Sequence, residues 1–504
     1  MRHYFFKVLF VVAAIWLTAC SEPAPSYIRF AVANAPVTLD PRFATDATST
    51  RINRLLYARL VDFDNAFNAV PSLAQWQQLD TMRYRFTLGE KYRTFHDGEH
   101  LTSADVKATY DFILDKRNGS PHRATLSLIS RIETPDEATV DFYLNKADPL
   151  FPAYLVIGIL PKKLIDAGHP FNRQPVGSGP FAFQDWPEEA RLIIKRQVDN
   201  QLVEFLRVPN PTVRVLKLMR GEVDMMQNDL LPELVSYLSK RRDITVIKGE
   251  GSNFSYLGFN MNDPVVGKLK VREAIAHALD RDKIIKYVMG SAARPASAML
   301  PPSHWAGNPF LPLLKYDPDQ ARALLKQAGY DREHPLHITY KTSSDPFRIR
   351  LATIIQSQLE DAGIDVDIRS YDWGTFYGDI KAGRFQMYSL SWVGIKTPDI
   401  FRYVFYSSSV PPKGANRGRF VSQTADHLIE AAESAADRQT MAKNYRDLQA
   451  YLLRELPYVP LWYEDHVFVA REGIENYTVA LDGNYDGLIN VRWNTQRQTE
   501  LKFR

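Results

Sequence analysis

His337-Ile338-Thr339-Tyr340, a helical stretch from Arg348 to Ala362 with Gly363 behind it, and Ile364-Asp365-Val366-Asp367-Ile368 follow one another in that order. The helical stretch turns Leu351, Ile354, Ile355 and Leu359 to one face, and Gly363 is the residue that a left-handed helix terminus favours. Ile364 to Ile368 alternates apolar and acidic residues, as a strand with one buried face does. Strand, helix and strand in this spacing form a βαβ unit, whose crossover connects parallel strands. The chain therefore reads as α/β.

Similar signals extend in both directions. Upstream, Asp317-Pro318-Asp319-Gln320 opens a helix with a capping acid and a proline at the first position, and Gly329 closes it. Long helical patterns cover Lys270 to Met289, Gln423 to Ala436 and Met441 to Arg454. Nearer the N-terminus, Tyr84-Arg85-Phe86-Thr87-Leu88 reads as a strand and His96-Asp97-Gly98 as a turn. Thr102 then caps a helix with Asp105 three residues on, and Val106, Tyr110, Ile113 and Leu114 share its apolar face.

The chain has 504 residues, enough for roughly three domains. With 45% apolar and 24% charged residues it is neither a disordered chain nor a polytopic membrane protein. A net charge of +4 over this length lacks the concentrated basic face of a nucleic-acid binder. One cysteine permits no internal disulfide and no thiolate zinc site. No phosphate-binding or dinucleotide-binding glycine fingerprint is present, so any ATP hydrolysis belongs to a separate subunit.

Residues 1–19 read as an export signal: Arg2 and Lys7 are basic, and Val8 to Leu17 is apolar but shorter than the roughly 20 residues that span a bilayer. Leu17-Thr18-Ala19-Cys20 resembles the lipobox of bacterial lipoproteins, which implies a diacylglycerol on Cys20. The alternative is a buried cysteine beside an ordinary cleaved signal. Residues 20–26 form a short, proline-containing tether. On this reading the protein is extracytoplasmic, in the periplasm or at the cell surface, and held at a membrane by its lipid.

A series of short motifs then runs the length of the chain. It includes Leu39-Asp40-Pro41, Tyr57-Ala58-Arg59-Leu60-Val61, Pro71-Ser72-Leu73-Ala74-Gln75-Trp76 and Phe95-His96-Asp97-Gly98. Pro175-Val176-Gly177-Ser178-Gly179-Pro180-Phe181, Gly221-Glu222-Val223-Asp224, Leu257-Gly258-Phe259-Asn260 and Val271-Arg272-Glu273-Ala274-Ile275 follow, and Leu456-Pro457-Tyr458-Val459-Pro460-Leu461 comes late. In this order they resemble the family 5 extracellular solute-binding proteins, the dipeptide, oligopeptide and nickel receptors of ATP-driven importers.

The resemblance implies a bilobal, periplasmic-binding-protein-like type II fold with an extra domain inserted in the first lobe. Residues 27–64, 168–255 and 468–504 would form that lobe, 65–167 the inserted domain and 256–467 the second lobe. It also implies a non-enzyme, mostly monomeric in this family, that takes a small peptide or related solute and delivers it to permease subunits without a cofactor. A sensor or scavenger of peptidoglycan fragments is a further possibility within the family.

Peptide-binding relatives carry Trp-x-Gly-Asp or Trp-x-x-Asp in the second lobe, the aspartate holding the ligand's amino terminus. Here the stretch is Ser391-Trp392-Val393-Gly394-Ile395-Lys396-Thr397-Pro398-Asp399: tryptophan and glycine are kept, and Ile395 replaces the acid. Lys396 either pairs with an anionic ligand group or points to solvent, and Asp399 is an acid that could stand in. The facing wall would be Asn34-Ala35-Pro36-Val37-Thr38, with Asn34, Ala35 and Thr38 near the ligand, unless this is a plain turn. Asn253 and Tyr256 precede the hinge crossing, and Trp373 belongs to an aromatic group that suits either pocket or core.

His96-Asp97-Gly98-Glu99-His100 matches the inverted zinc-protease signature, so the alternative is a secreted metal-dependent hydrolase using His96, Glu99 and His100. That chemistry needs both histidines on one helical face, whereas Gly98 places them on a turn ahead of the helix start at Thr102. The eleven histidines are otherwise scattered, and no metal site is expected.

Overall fold

The computed structural model describes residues 27–435 and 437–494; the export signal, Cys20 and the tether up to Ser26 lie outside them, as do Ala436 and residues 495–504. One eleven-stranded sheet runs through the molecule. From one end its order is Ile364–Tyr371, Leu336–Ser343, Met387–Trp392, Ile244–Phe259, Tyr458–Arg471, Met225–Gln227, Tyr27–Val32, Leu202–Arg207, Arg191–Arg196 and Phe181–Glu188, with Ala293–Pro295 added beside Tyr458–Arg471. Two lobes are built on its two ends, each with its own apolar core.

The βαβ unit lies in the second lobe. Leu336–Ser343 and Ile364–Tyr371 pair in parallel, from Leu336 beside Ile364 to Ser343 beside Tyr371. The helix between them, Pro346–Asp361, starts two residues earlier than its periodicity suggests, because the Asp345 carboxylate caps it through the Arg348 N–H. Leu351, Ala352, Ile355 and Leu359 are buried, while Ile354 is half-buried against the same core. Asp317 caps Pro318–Gln327 as expected, and Arg438–Glu455 extends the late helical pattern back to a cap at Asp437. Gln423–Glu433 ends short of Ala436.

The pattern from Lys270 to Met289 is not one helix. Leu269–Ala278 stops where Leu279 turns extended, a short turn Arg281–Lys283 follows, and Ile284–Val288 winds wider still. The cause is tertiary: the Asp280 N–H donates to Gln358 Oε1 at 2.9 Å, and the buried Arg281 guanidinium takes up the carbonyls of Ala276 and Leu279. Periodicity does not register such partners.

A separate body carries the four-stranded antiparallel sheet Ala74–Asp80, Arg83–Leu88, Thr139–Leu144 and Ile129–Asp136, in that spatial order. Helix Ser103–Leu114, held by the Thr102–Asp105 capping box, buries Val106, Tyr110 and Ile113. Tyr110 and Phe86 both meet the Phe142 ring edge-on, at 5.6 and 5.4 Å. Each buried ring contributes about 1.5–3 kcal/mol of transfer free energy.

Ile244–Phe259 and Tyr458–Arg471 link the lobes as one antiparallel pair, running from Ile244 beside Arg471 to Gly258 beside Tyr458. The ladder is irregular only at Gly249–Asn253 and at Ser255–Tyr256. In the first of these, a Cβ on Gly251 would lie 2.0 Å from the Glu464 carbonyl oxygen, so only glycine fits. The Asp465 carboxylate accepts from the Gly251 N–H at 3.1 Å and from Arg294 Nε at 2.9 Å, while the Arg294 guanidinium also binds the Gly251 carbonyl at 2.6 Å. The irregular stretch is thus pinned by three hydrogen bonds.

Candidate functional site

The strand Met387–Trp392 ends beside the linking pair, with Ser391 opposite Ser255 and Trp392 opposite Phe254. The Glu464 carboxylate accepts from Ser255 Oγ at 2.7 Å, Ser391 Oγ at 3.0 Å and Arg348 at 3.1 Å. Burial alone would raise the Glu464 carboxyl; the Arg348 guanidinium and the two hydroxyls overcome it and hold it below the usual range. Three segments distant in sequence meet at this one carboxylate.

Trp392 is half-buried, and the Arg417 guanidinium lies 4.7 Å from its ring centroid. Arg417 is buried and spends its donors on tyrosines, giving hydrogen bonds of 3.1 Å to both Tyr256 and Tyr377. Trp373 stacks on Tyr377 at 5.3 Å, so Trp373, Tyr377, Arg417 and Trp392 form one continuous stack. The indole N–H of Trp392 is buried and has no partner among the described residues. A buried donor without an acceptor is costly, and a carbonyl arriving from a ligand would satisfy it.

Lys396 has a fate that neither expectation gave it. Its ammonium lies 2.6 Å from the Asp482 carboxylate, which belongs to the first lobe, and 5.2 Å from the Phe63 ring centroid. Burial opposes the Asp482 charge, but the Lys396 ammonium and the Arg54 guanidinium outweigh it and hold the carboxyl far below the ordinary range. Asp482 is placed by the linking strands, because Ser252 Oγ and His466 Nε2 both meet the neighbouring Leu481 carbonyl. The Lys396 carbonyl is held at 3.1 Å by His304 Nε2; His304 Nδ1 accepts from the Ala306 N–H, so Nε2 carries the proton. Burial pushes His304 down to about 4, so it is neutral and stacks on Phe67 at 5.2 Å.

The remaining expected residues divide between surface and core. Val393 is 55% exposed, and Gly394 is exposed with a left-handed φ of 71°. Ile395, at the place of the missing acid, is only 8% exposed and packs into the second-lobe core. Tyr256 is also core, stacked on Tyr458 at 3.8 Å, while Trp373 is 59% exposed. Asn253 is half-buried, with its side-chain oxygen unpartnered among the described residues. On the first-lobe side Asn34 is exposed, and Ala35 and Thr38 are half-buried. Ser49 Oγ anchors that loop by accepting from the Val37 and Thr38 N–H groups. Glu464, Arg417, His304 and Asp482 were not expected; the polar Glu464-Asp465-His466 inside the otherwise apolar run from Tyr458 to Ala470 is a signal that marks Glu464, and none marks the other three.

The zinc alternative fails on geometry. His96 Nε2 lies 3.0 Å from the Gly179 carbonyl, Glu99 pairs with Lys163 at 3.1 Å, and His100 is exposed. Among the described residues no three His, Cys, Asp or Glu side chains come together to hold a metal. No helix among them is long and apolar enough to cross a membrane.

Known proteins share the sequence pattern and the fold of this chain. The family model described as bacterial extracellular solute-binding proteins, family 5 Middle, matches residues 68–412. The dipeptide-binding protein of Escherichia coli K12 is 25% identical over 93% of this chain and 95% of its own length. Di/tripeptide-binding protein 2 of Pseudomonas aeruginosa is 27% identical over 93% and 96%. The periplasmic binding protein DppA of Helicobacter pylori, solved in complex with the peptide STSA, superposes with a TM-score of 0.77 at 27% identity, covering 93% of this chain and 98% of that one. The fold is the bilobal type II arrangement. With the match spanning most of its length and the two-lobed fold in place, the chain belongs to the family 5 bacterial extracellular solute-binding proteins.

Proposed function

We propose that this protein captures a small peptide or closely related solute between its two lobes and presents the closed form to the permease subunits of an ABC importer, which carries its own ATPase. The observation that carries this reading is the Lys396–Asp482 pair, by which the second lobe reaches the first across the gap they enclose. Names of relatives such as the dipeptide-binding and di/tripeptide-binding proteins support the peptide class. The ligand must bind the closed form better than the open one for closure to report occupancy.

In this reading residues 27–64, 168–255 and 468–504 form the first lobe, 65–167 the inserted domain and 256–467 the second lobe. Trp392, Ser391, Gly394, Asn253 and the loop from Asn34 to Thr38 face the solute. The protein acts as a monomer outside the cytoplasm, tied to a membrane through lipidated Cys20; the supporting feature for the tie is Leu17-Thr18-Ala19-Cys20 itself.

Thermal unfolding of the chain from Ser21 onward, against peptides sorted by length and terminal charge, tests the reading. Ligand at 100 times its dissociation constant adds about 2.7 kcal/mol, which raises the melting temperature by a few degrees. A shift with any peptide class supports it, and no shift with any of them removes the word peptide.

A further inference from the structure

The four-stranded body meets its two neighbours in different ways. Toward the first lobe it is fastened by direct hydrogen bonds. The His96 N–H donates to the Gly177 carbonyl at 2.8 Å, and His96 Nε2 lies 3.0 Å from the Gly179 carbonyl. Ser120 Oγ donates to the Arg42 carbonyl at 2.7 Å, and His122 Nε2 meets the Ala44 carbonyl at 3.1 Å. Toward the second lobe two cavities intervene, of about 840 and 170 Å³, the larger lined by charges of both signs. Leu150 reaches across to the second-lobe core. Among the described residues, the hydrogen bonds that cross this seam come from one hairpin.

That hairpin pairs Val61–Phe63 with Ala69–Pro71 and leads into the four-stranded body. The Asp64 carboxylate ties its tip, accepting from the Ala66 and Asn68 N–H groups at 2.8 Å each and from Asn68 Nδ2 at 2.7 Å. Asp64 and Asn65 are exposed, yet Phe67 beside them is only 3% exposed. Phe67 has a left-handed φ of 59°, which a bulky residue holds only where its surroundings enforce it. Its ring stacks on His304 of the second lobe at 5.2 Å. Beside it the Trp305 N–H donates to the Ala66 carbonyl at 3.1 Å. Arg438 donates to Asn68 Oδ1 and lies 4.2 Å from the Trp305 ring centroid.

The base of the hairpin reaches the same part of the second lobe. Phe63 lies 5.2 Å from the Lys396 ammonium, and the Lys396 carbonyl is held at 3.1 Å by the histidine on which Phe67 stacks. Tip and base thus bracket one segment of the second lobe. None of these contacts uses Trp392, Gly394 or Asn253, the residues read above as facing the solute.

We propose that the hairpin Val61–Pro71 is a strap that holds the second lobe against the rest of the molecule when no solute is bound, with Phe67 as its anchor. Separation of the lobes exposes the face of the Phe67 ring that His304 covers and breaks the Trp305 and Arg438 hydrogen bonds, so the strap sets how often the empty molecule opens. A solute then enters in the intervals when the strap is released. The proposal needs the two-lobed fold and not the peptide class of the solute.

The test is a pulsed electron-spin-resonance distance measurement with no peptide added. The chain from Ser21 has no cysteine, so nitroxides attach only at Lys116→Cys in the four-stranded body and Lys326→Cys in the second lobe, both exposed positions. This labelled parent should show mainly one short distance. Phe67→Ala should change the ratio of short to long distances about tenfold or more toward the long one. Arg438→Ala alters an exposed side chain and should move the same ratio about two- to fivefold. A parent in which the long distance already prevails overturns the strap. So does a folded Phe67→Ala protein that keeps the parent's distribution; if that variant does not fold, an unchanged distribution in Arg438→Ala overturns the strap instead.

Discussion

The Lys396 ammonium and the Asp482 carboxylate meet at 2.6 Å across the gap between the lobes, and the charge of Arg54 further favours the same carboxylate. Both members are mostly shielded from water, so breaking the pair from one side leaves a poorly hydrated charge on the other.

Lys396→Glu places a second negative charge beside Asp482 and should open the molecule, raising its radius of gyration in small-angle scattering and lowering stability by about 1–3 kcal/mol. Adding Asp482→Lys restores the pair with its charges exchanged and should recover the compact form. If the double variant is no more compact than Lys396→Glu alone, the pair is not what holds the lobes. The Asp482 carboxyl is depressed on folding, so its contribution is full above the unfolded value near pH 4 and is lost only as pH falls further toward its folded value.

Asp399 works in the opposite direction. Its carboxyl is raised to about 6, first by burial and then, against the help of Thr397, by Asp148 and Glu433. Asp148 is raised too, with Lys146 opposing, and Arg402 is committed to Glu433. The folded chain therefore binds more protons than the unfolded chain between about pH 4 and 6, and stability falls as pH rises through that window. Asp399→Asn should leave stability at pH 4 nearly unchanged and raise it by about 1–2 kcal/mol at pH 7.5, allowing for partial solvent access. Urea unfolding at the two pH values reads the difference directly, and a pH-independent effect refutes the assignment.

Trp392 is propped by Arg417 rather than buried by it. Trp392→Ala should lower ligand affinity about tenfold while the second lobe stays folded. Arg417→Lys loses both tyrosine hydrogen bonds and the planar stack, and should cost about 2–4 kcal/mol of stability. Unfolding curves paired with binding isotherms separate the two effects. A Trp392→Ala protein with unchanged affinity removes this ring from the site.

Cys20→Ser should release the protein from membranes into the soluble fraction and abolish incorporation of labelled fatty acid, with peptide binding intact. Continued labelling of the Cys20→Ser chain rules out the anchor.

Local signals were legible in the sequence. The strand-helix-strand unit from Leu336 to Tyr371 announced itself because its caps and apolar positions act within a few residues of each other. Thr102 and Asp105 were readable for the same reason. The break at Asp280 was hidden, since its acceptor on Gln358 lies on another helix. At the site, Trp392 and Lys396 could be singled out as residues, but their partners Arg417 and Asp482 lie elsewhere in the chain. Spacing along a chain does not reveal which distant charges meet. Ile395 shows the complementary difficulty: its position in a motif gave no indication that the side chain turns inward.

The place of Tyr458–Arg471 in the sheet has a consequence for how the molecule is made. This late segment lies between Ile244–Phe259 and Met225–Gln227, so neither half of the sheet can be joined to the other before it arrives. A chain growing from its N-terminus must wait for nearly its full length before the long-range pairs can form, and non-local pairing of this kind is slow. The four-stranded body from Ala74 to Leu144 needs none of this late segment and is free to form on its own sheet first. The order in which the strands are encoded thus makes the joining of the two lobes a late event, whatever local units have formed before it.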